Sequence, residues 1–118
     1  MEIVLWRVRI KAGKEALARE WLDFLTANRD EGNQTLKRER EHLEVYFTNT
    51  EKGAMYAYMF VLADNLAYAA KMATEAGTPL DTKHFEYMGA CVDMEDCVQL
   101  TPALALGDFS VFGSGAPL

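Results

Sequence analysis

The sequence has little of what most metal, cofactor and nucleic-acid sites need. Its 118 residues include only two cysteines and two histidines, and their spacings fit no recognisable metal site. It contains no phosphate-binding P-loop and no dinucleotide-binding glycine motif, so we expect no cofactor. Basic residues are also scarce, since 12 lysines and arginines face 18 acidic residues and give a net charge of −6. This charge argues against a nucleic-acid partner, because binding phosphates needs a basic patch.

The chain also lacks the signals of membrane insertion and secretion. No apolar run approaches the ~20 residues that span a bilayer, so we expect no membrane partner. The first residues enter a strand pattern without the basic segment of a signal peptide. Cys91 and Cys97 are too few for a disulfide framework and are expected to be reduced thiols. These features together predict a cytoplasmic protein.

What is present is a clear order of hydrophobic periods: strand, helix, strand, strand, helix, strand. The predicted strands are Glu2–Ile10, Leu43–Thr50, Ala54–Leu62 and Cys97–Leu106. The first connection is one long helix or a helix broken near Gly32, because glycine costs ~1 kcal/mol there relative to alanine. The second connection carries helices over Asn65–Ala76 and from Pro79 to about Ala90. This βαββαβ order is typical of an α+β, ferredoxin-like split βαβ fold with a four-stranded antiparallel sheet. Residues 1–106 form the predicted domain, and 107–118 form a C-terminal tail.

One face of this predicted sheet has no helix to cover it. The fully apolar row of the first strand is expected to lie under the helices: Val4, Trp6, Val8 and Ile10. The opposite face is expected to carry Ile3, Leu5, Tyr46 and either the methionine row or the tyrosine row of the third strand. Such a face is aggregation-prone in water, so we expect a homodimer in which two sheets pack face to face around a cavity.

Short segments of the sequence resemble known proteins. The segment VRIKAGKE (Val8–Glu15), followed by an amphipathic helix, resembles the start of many dimeric α+β-barrel proteins. The segments Leu43–Phe47 and Pro79–His84 resemble more closely an uncharacterised bacterial family of unknown function within that architecture. The likeness covers about residues 2–106. The resemblance implies the fold and the dimer. The wider superfamily includes cofactor-independent monooxygenases, haem-degrading enzymes and isomerases, whereas the closer family implies no particular reaction.

His84, Asp81 and Glu44 are the candidate catalytic residues. His84 lies on an otherwise apolar helix stripe, where an imidazole is available for proton transfer near neutral pH. Asp81 precedes it by one turn and is a candidate to orient its ring. Glu44 lies on a strand. It is a candidate for a base in the dimer cavity, or for an ion pair with Arg7 or Arg9. The alternatives are structural: a packed histidine bonded to a backbone carbonyl, and a glutamate that discourages edge aggregation.

Arg7, Tyr46 and Tyr58 are the candidate substrate-binding residues. The planar guanidinium of Arg7 suits a carboxylate ligand, although a salt bridge between subunits or a solvated strand end is the favoured explanation. Tyr46 and Tyr58 are candidates for the aromatic wall of a pocket. The run Lys37–Glu41 mixes basic and acidic residues and is interpreted as a solvated helix end.

Two functions follow from these residues. The first is a small-molecule-binding protein, in its catalytic form a cofactor-free enzyme of the monooxygenase or isomerase type. The alternative is a non-catalytic dimeric structural or interaction module whose cavity is filled by side chains.

Overall fold

A four-stranded antiparallel sheet with helices on one face forms the fold of the computed structural model, which describes residues 1–75 and 77–113. In chain order the elements are β1 (Glu2–Ile10), α1 (Glu15–Ala27), α2 (Arg29–Glu39), β2 (Glu41–Glu51), β3 (Ala54–Ala63), α3 (Leu66–Glu75), α4 (Pro79–Cys91), β4 (Val92–Leu100) and a C-terminal 3-10 helix (Phe109–Phe112). The strand order is β2-β3-β1-β4, which leaves β2 and β4 at the edges. The predicted α+β, ferredoxin-like fold is thereby confirmed.

The core lies between the helices and one face of the sheet. Val8 and Ile10 of β1 are almost fully buried there, as the alternation in the first strand predicts. Trp21 of α1 is 0% exposed and packs in the same cluster, together with Cys91 of α4. Fully burying a side chain of the size of valine or leucine contributes about 1.5–3 kcal/mol. This cluster therefore fixes the helices over the sheet and determines the space left between them.

Tyr46 lies on the helix-covered face, so its prediction on the uncovered face is wrong. The register pairs Met59 of β3 with Tyr46 on one side and with Trp6 on the other, which places the three side chains on one face. Alternation tells which residues of a strand share a face. It does not tell which face turns toward the helices when both rows are largely apolar, as they are in β3.

The opposite face is not covered by the α-helices that pack on the core, and we call it the open face. It presents the tyrosine row of β3 and apolar residues of the other strands: Ile3, Leu5, Leu43, Val45, Phe47, Tyr56, Tyr58, Phe60, Val98 and Leu100. Phe47 is 56% exposed, and Val98 and Leu100 are each 42% exposed. The expectation that Ile3 and Leu5 lie on this side agrees with the register.

β4 begins earlier and ends earlier than the sequence pattern indicates. It runs from Val92 to Leu100 rather than over Cys97–Leu106, and Pro102 lies beyond its end. The acidic residues before Cys97 have the composition of a loop, which hides the start of the strand. They join the sheet through a register shift at Val8/Arg9, beyond which Asp93 pairs with Arg9.

The helices also depart from the pattern at their ends. The break between α1 and α2 falls at Asn28, four residues before Gly32. The side-chain amide of Asn28 donates to the carbonyl oxygen of Phe24 at 2.8 Å, which satisfies a helix-terminal group there. The predicted last residue of α3, Ala76, and residues 114–118 of the predicted tail lie outside the described residues. None of the helices in the described part of the chain is long and apolar enough to cross a membrane.

Candidate functional site

A cavity of about 440 Å³ lies between the helices and the covered face of the sheet, and we call it the helix–sheet cavity. Its apolar walls include Trp6, Leu22, Leu25, Leu36, Met59, Val61, Leu80, Phe85 and Met88. Its ionisable lining groups include Glu39, Glu41, Glu44, Tyr46, Asp81 and His84. Four of the six predicted site residues therefore meet in one cavity, although this cavity belongs to a single chain rather than to a dimer interface.

The chain turn between α2 and β2 brings three carboxyl groups together. Arg40 adopts a left-handed conformation with φ of 56° and ends α2, so that Glu39 is the last helical residue and Glu41 the first of β2. Glu44 follows on the same strand and accepts a hydrogen bond from the hydroxyl of Tyr46. We call Glu39, Glu41 and Glu44 the carboxyl cluster. Glu39 is 6% exposed, which is unusual for a glutamate.

Burial and mutual repulsion raise the pKa values in the carboxyl cluster. Burial, followed by the charge of Glu44, raises the pKa of Glu39 to about 7. Burial and the hydrogen-bonded Glu44 raise the pKa of Glu41 as well. Carboxylates at close range cannot all ionise, so the cluster retains a shared proton near neutral pH. A group of this kind is suited to take up and release protons at physiological pH.

Trp21 fixes the ring of His84. Its indole Nε1 donates to Nδ1 of His84 at 2.9 Å, so a neutral ring carries its hydrogen on Nε2. Burial lowers the pKa of His84 below its ordinary value, although Glu44 and Asp81 oppose this effect. His84 is thus a neutral hydrogen-bond donor in the cavity at neutral pH.

Asp81 does not take the place beside His84 that the helical spacing indicates. Its Oδ2 accepts hydrogen bonds from Oγ1 of Thr78 at 2.6 Å and from Nη2 of Arg38 at 3.1 Å. The hydroxyl of Thr78 in turn accepts from the backbone N–H of Asp81 and caps α4. Asp81 thereby joins α4 to α2, and Trp21 is the residue that orients His84.

Arg7 and Tyr58 lie on the open face and do not reach the helix–sheet cavity. Arg7 pairs with Glu51 at 3.5 Å, and its guanidinium lies 3.8 Å from the ring centroid of Tyr56. The hydroxyl of Tyr58 donates to Glu51 at 2.9 Å, and this bond lowers the pKa of Glu51. The alternative of an ion pair between Glu44 and Arg7 is wrong, since the two residues lie on opposite faces of the sheet.

Sequence reasoning missed Glu39, Glu41, Arg38 and Trp21 as parts of the site. The run that contains the first three has the composition of a solvated helix end, yet Glu39 is buried and Arg38 binds Asp81. A usable signal was the close succession of three glutamates across the junction of a helix and a strand. In residues 1–75 and 77–113, no group of three histidine, cysteine or acidic side chains is arranged to hold a metal ion.

Fold and cavity together define a ferredoxin-like α+β protein with an acidic, largely apolar cavity beneath its helices. The chain belongs to the family of unknown function DUF6176, whose family model matches residues 1–108. No curated protein matches it. One similar solved structure is that of an uncharacterized NIPSNAP domain protein from Burkholderia xenovorans, which is 18% identical. The match covers 92% of this chain and 100% of that one, with a TM-score of 0.47.

Proposed function

We propose that the chain binds a small organic molecule in the helix–sheet cavity and transfers a proton on it without a cofactor, as isomerases and cofactor-free monooxygenases do. The observation that carries this proposal is the convergence of His84 and Glu44 on one largely apolar cavity. Its volume of about 440 Å³ falls in the range of ligand pockets, which is roughly 300–1,000 Å³.

Each polar group has a distinct role in this proposal. Glu44 accepts the proton, because its carboxyl group lines the cavity together with His84. His84 donates a hydrogen bond from Nε2 to the negative charge that develops on the bound molecule. Tyr46, which donates to Glu44, positions that carboxylate. The alternative of a non-catalytic module predicts a space filled by side chains, and the open volume of the cavity favours a ligand instead.

A pair of glycine substitutions tests the cavity as a binding site. Gly32 lies on α2 and lines the cavity, whereas Gly89 lies exposed on α4 and does not. A Cβ atom built at either glycine meets no atom within 4 Å, so neither substitution causes a clash at the first side-chain atom. Native mass spectrometry is expected to show a small molecule retained by the wild type and by Gly89→Leu. Gly32→Leu is expected to lose it at a melting temperature no lower than that of the wild type, because leucine forms helices more readily than glycine.

Two results would contradict the proposal. One is a Gly32→Leu protein that retains the molecule as well as Gly89→Leu does. The other is a wild type that carries no small molecule and takes up none when exposed to a metabolite extract.

We also propose that the chain forms a homodimer through the open face. Phe47 on one edge strand and Val98 and Leu100 on the other leave exposed apolar side chains on this face, which a second copy would cover. Arg7 and Glu51 place both signs of charge at one end of this face, which allows a two-fold contact to be self-complementary. The resemblance to dimeric α+β barrels supports the same assembly. Light scattering at micromolar concentration is expected to give twice the mass of one chain, and a single-chain mass would refute the dimer.

A further inference from the structure

We propose that the molecule bound in the helix–sheet cavity is an organic amine, held as an ammonium ion by the carboxyl cluster with its apolar body against the hydrophobic walls. This inference rests on the proposed function, since it names the ligand class of the same cavity.

Acidic groups outnumber cations around the cavity. Four acidic side chains line it, Glu39, Glu41, Glu44 and Asp81, against one arginine, Arg29. Arg38, outside the lining, is the cation that contacts two of the four. Its Nη2 hydrogen-bonds Asp81 at 3.1 Å but lies 3.9 Å from Oε1 of Glu39, which is beyond hydrogen-bond distance. The carboxyl cluster is therefore left without a hydrogen-bonded cation from this arginine.

The cluster also contains a carboxyl oxygen atom that lacks a hydrogen-bond donor in the described part of the chain. Oε2 of Glu41 is buried and has no hydrogen-bond partner among the described residues. The Glu39 side chain is 7% exposed, and the hydrogen bond that stabilises its charge comes from the neighbouring carboxyl of Glu41. A buried acceptor left unsatisfied costs about 1–3 kcal/mol.

An ammonium group would supply both the cation and the hydrogen-bond donor that the carboxyl cluster lacks. It carries one positive charge and three N–H donors, and the cluster offers three carboxyl groups. Its charge would let the carboxyl groups ionise, because an opposite charge at close range favours the charged form. A carboxylate or phosphate ligand would instead add a further negative charge to the cluster. A neutral apolar ligand would leave Oε2 of Glu41 without a donor.

The rest of the cavity selects an apolar body for this amine. The apolar lining includes Phe85 and Met88 of α4 and Leu25 of α1. Tyr46 and Trp6 add aromatic faces, which attract cations as well as apolar groups.

Three probes of equal length test the ligand class: hexylamine, 1-hexanol and hexanoate, titrated at pH 7.5. Intrinsic fluorescence reports binding, because Trp6 lines the cavity and Trp21 bonds His84 at its wall. Hexylamine is expected to bind at least about tenfold more tightly than 1-hexanol, and hexanoate more weakly than either. The variant Glu41→Gln is expected to weaken hexylamine at least about tenfold and to leave 1-hexanol unchanged. The exposed control Glu31→Gln on α2 is expected to change neither.

The outcomes distinguish an error in the proposed ligand class from an error in the proposal that the cavity binds a ligand. Equal or tighter binding of 1-hexanol, or equal losses of both probes in Glu41→Gln, would overturn the amine. If 1-hexanol alone binds to the wild type and not to Gly32→Leu, the cavity remains a binding site while the amine is wrong. Failure of all three probes to distinguish the wild type from Gly32→Leu would overturn both proposals.

Discussion

The variant Glu39→Gln should remove a large part of the pH dependence of folding. Glu39 has a pKa of 4.5 as an ordinary carboxyl and of about 7 in the folded chain, where burial raises it. A carboxyl whose pKa is higher when folded binds more protons in the folded state, so the free energy of unfolding falls as the pH rises. The fall begins near the unfolded pKa and is complete above the folded one.

The magnitude follows from the two pKa values. Their difference corresponds to about 3 kcal/mol of unfolding free energy, at 1.36 kcal/mol for each pKa unit. The wild type is therefore expected to lose about 3 kcal/mol more than Glu39→Gln between pH 4.5 and pH 8. Glu39 also helps to raise the pKa of Glu41, so its removal lowers the pKa of Glu41. The variant therefore loses part of the pH dependence that Glu41 contributes as well, and both changes make the wild type the more pH-sensitive protein.

Urea unfolding followed by tryptophan fluorescence measures this difference at pH 4.5, 6, 7 and 8. The exposed variant Glu31→Gln on the same helix is the matched control and is expected to follow the wild type. Subtracting the pH profile of Glu39→Gln from that of the wild type removes the contribution of the ionisable groups that the two proteins share. Parallel profiles for the wild type and Glu39→Gln would refute the reasoning, because Glu39 would then titrate alike in the folded and unfolded chains.

Further predictions concern the supports of the site and the open face. Trp21→Phe removes the donor to His84 and part of a fully buried ring, and chemical denaturation should show a loss of about 2 kcal/mol. Arg38→Leu leaves Asp81 buried without its cation and should cost about 3 kcal/mol by the same assay. The double variant with Asp81→Asn should recover part of this loss, and no recovery would contradict the pairing. Phe47→Lys places a charge on the exposed β2 side of the open face, and light scattering should show the variant shifted toward the single-chain mass at an unchanged helix content by circular dichroism. A dimer as stable as the wild type would exclude the open face as the interface.

The order of elements could be predicted from the sequence because each depends on local patterns. The alternation in β1 and the apolar stripe on α1 are read from neighbouring residues. The start of β4 could not be predicted this way, since Asp93 joins the sheet only through its pairing with Arg9. An edge strand that meets solvent needs no apolar alternation.

The candidate site was predictable in part for the same reason. His84 stands out as a histidine on an apolar helix face, and its place in the cavity follows from that face. The burial of Glu39 could not be predicted, because a glutamate in a charged run is ordinarily solvated. It depends on the left-handed turn at Arg40, which ends α2 directly before β2, and on the packing of the helices over the sheet.

Carbon NMR of the glutamate side-chain carboxyl groups tests the central claim most directly, since the account depends on a shared proton in the carboxyl cluster. With the wild type compared against Glu39→Gln and Glu41→Gln, two glutamate carboxyl signals are expected to titrate above pH 6, and each variant should remove one of them. A spectrum in which every glutamate has finished titrating by about pH 5.5 would contradict the account, because that range is the one expected of ordinary solvated carboxyl groups.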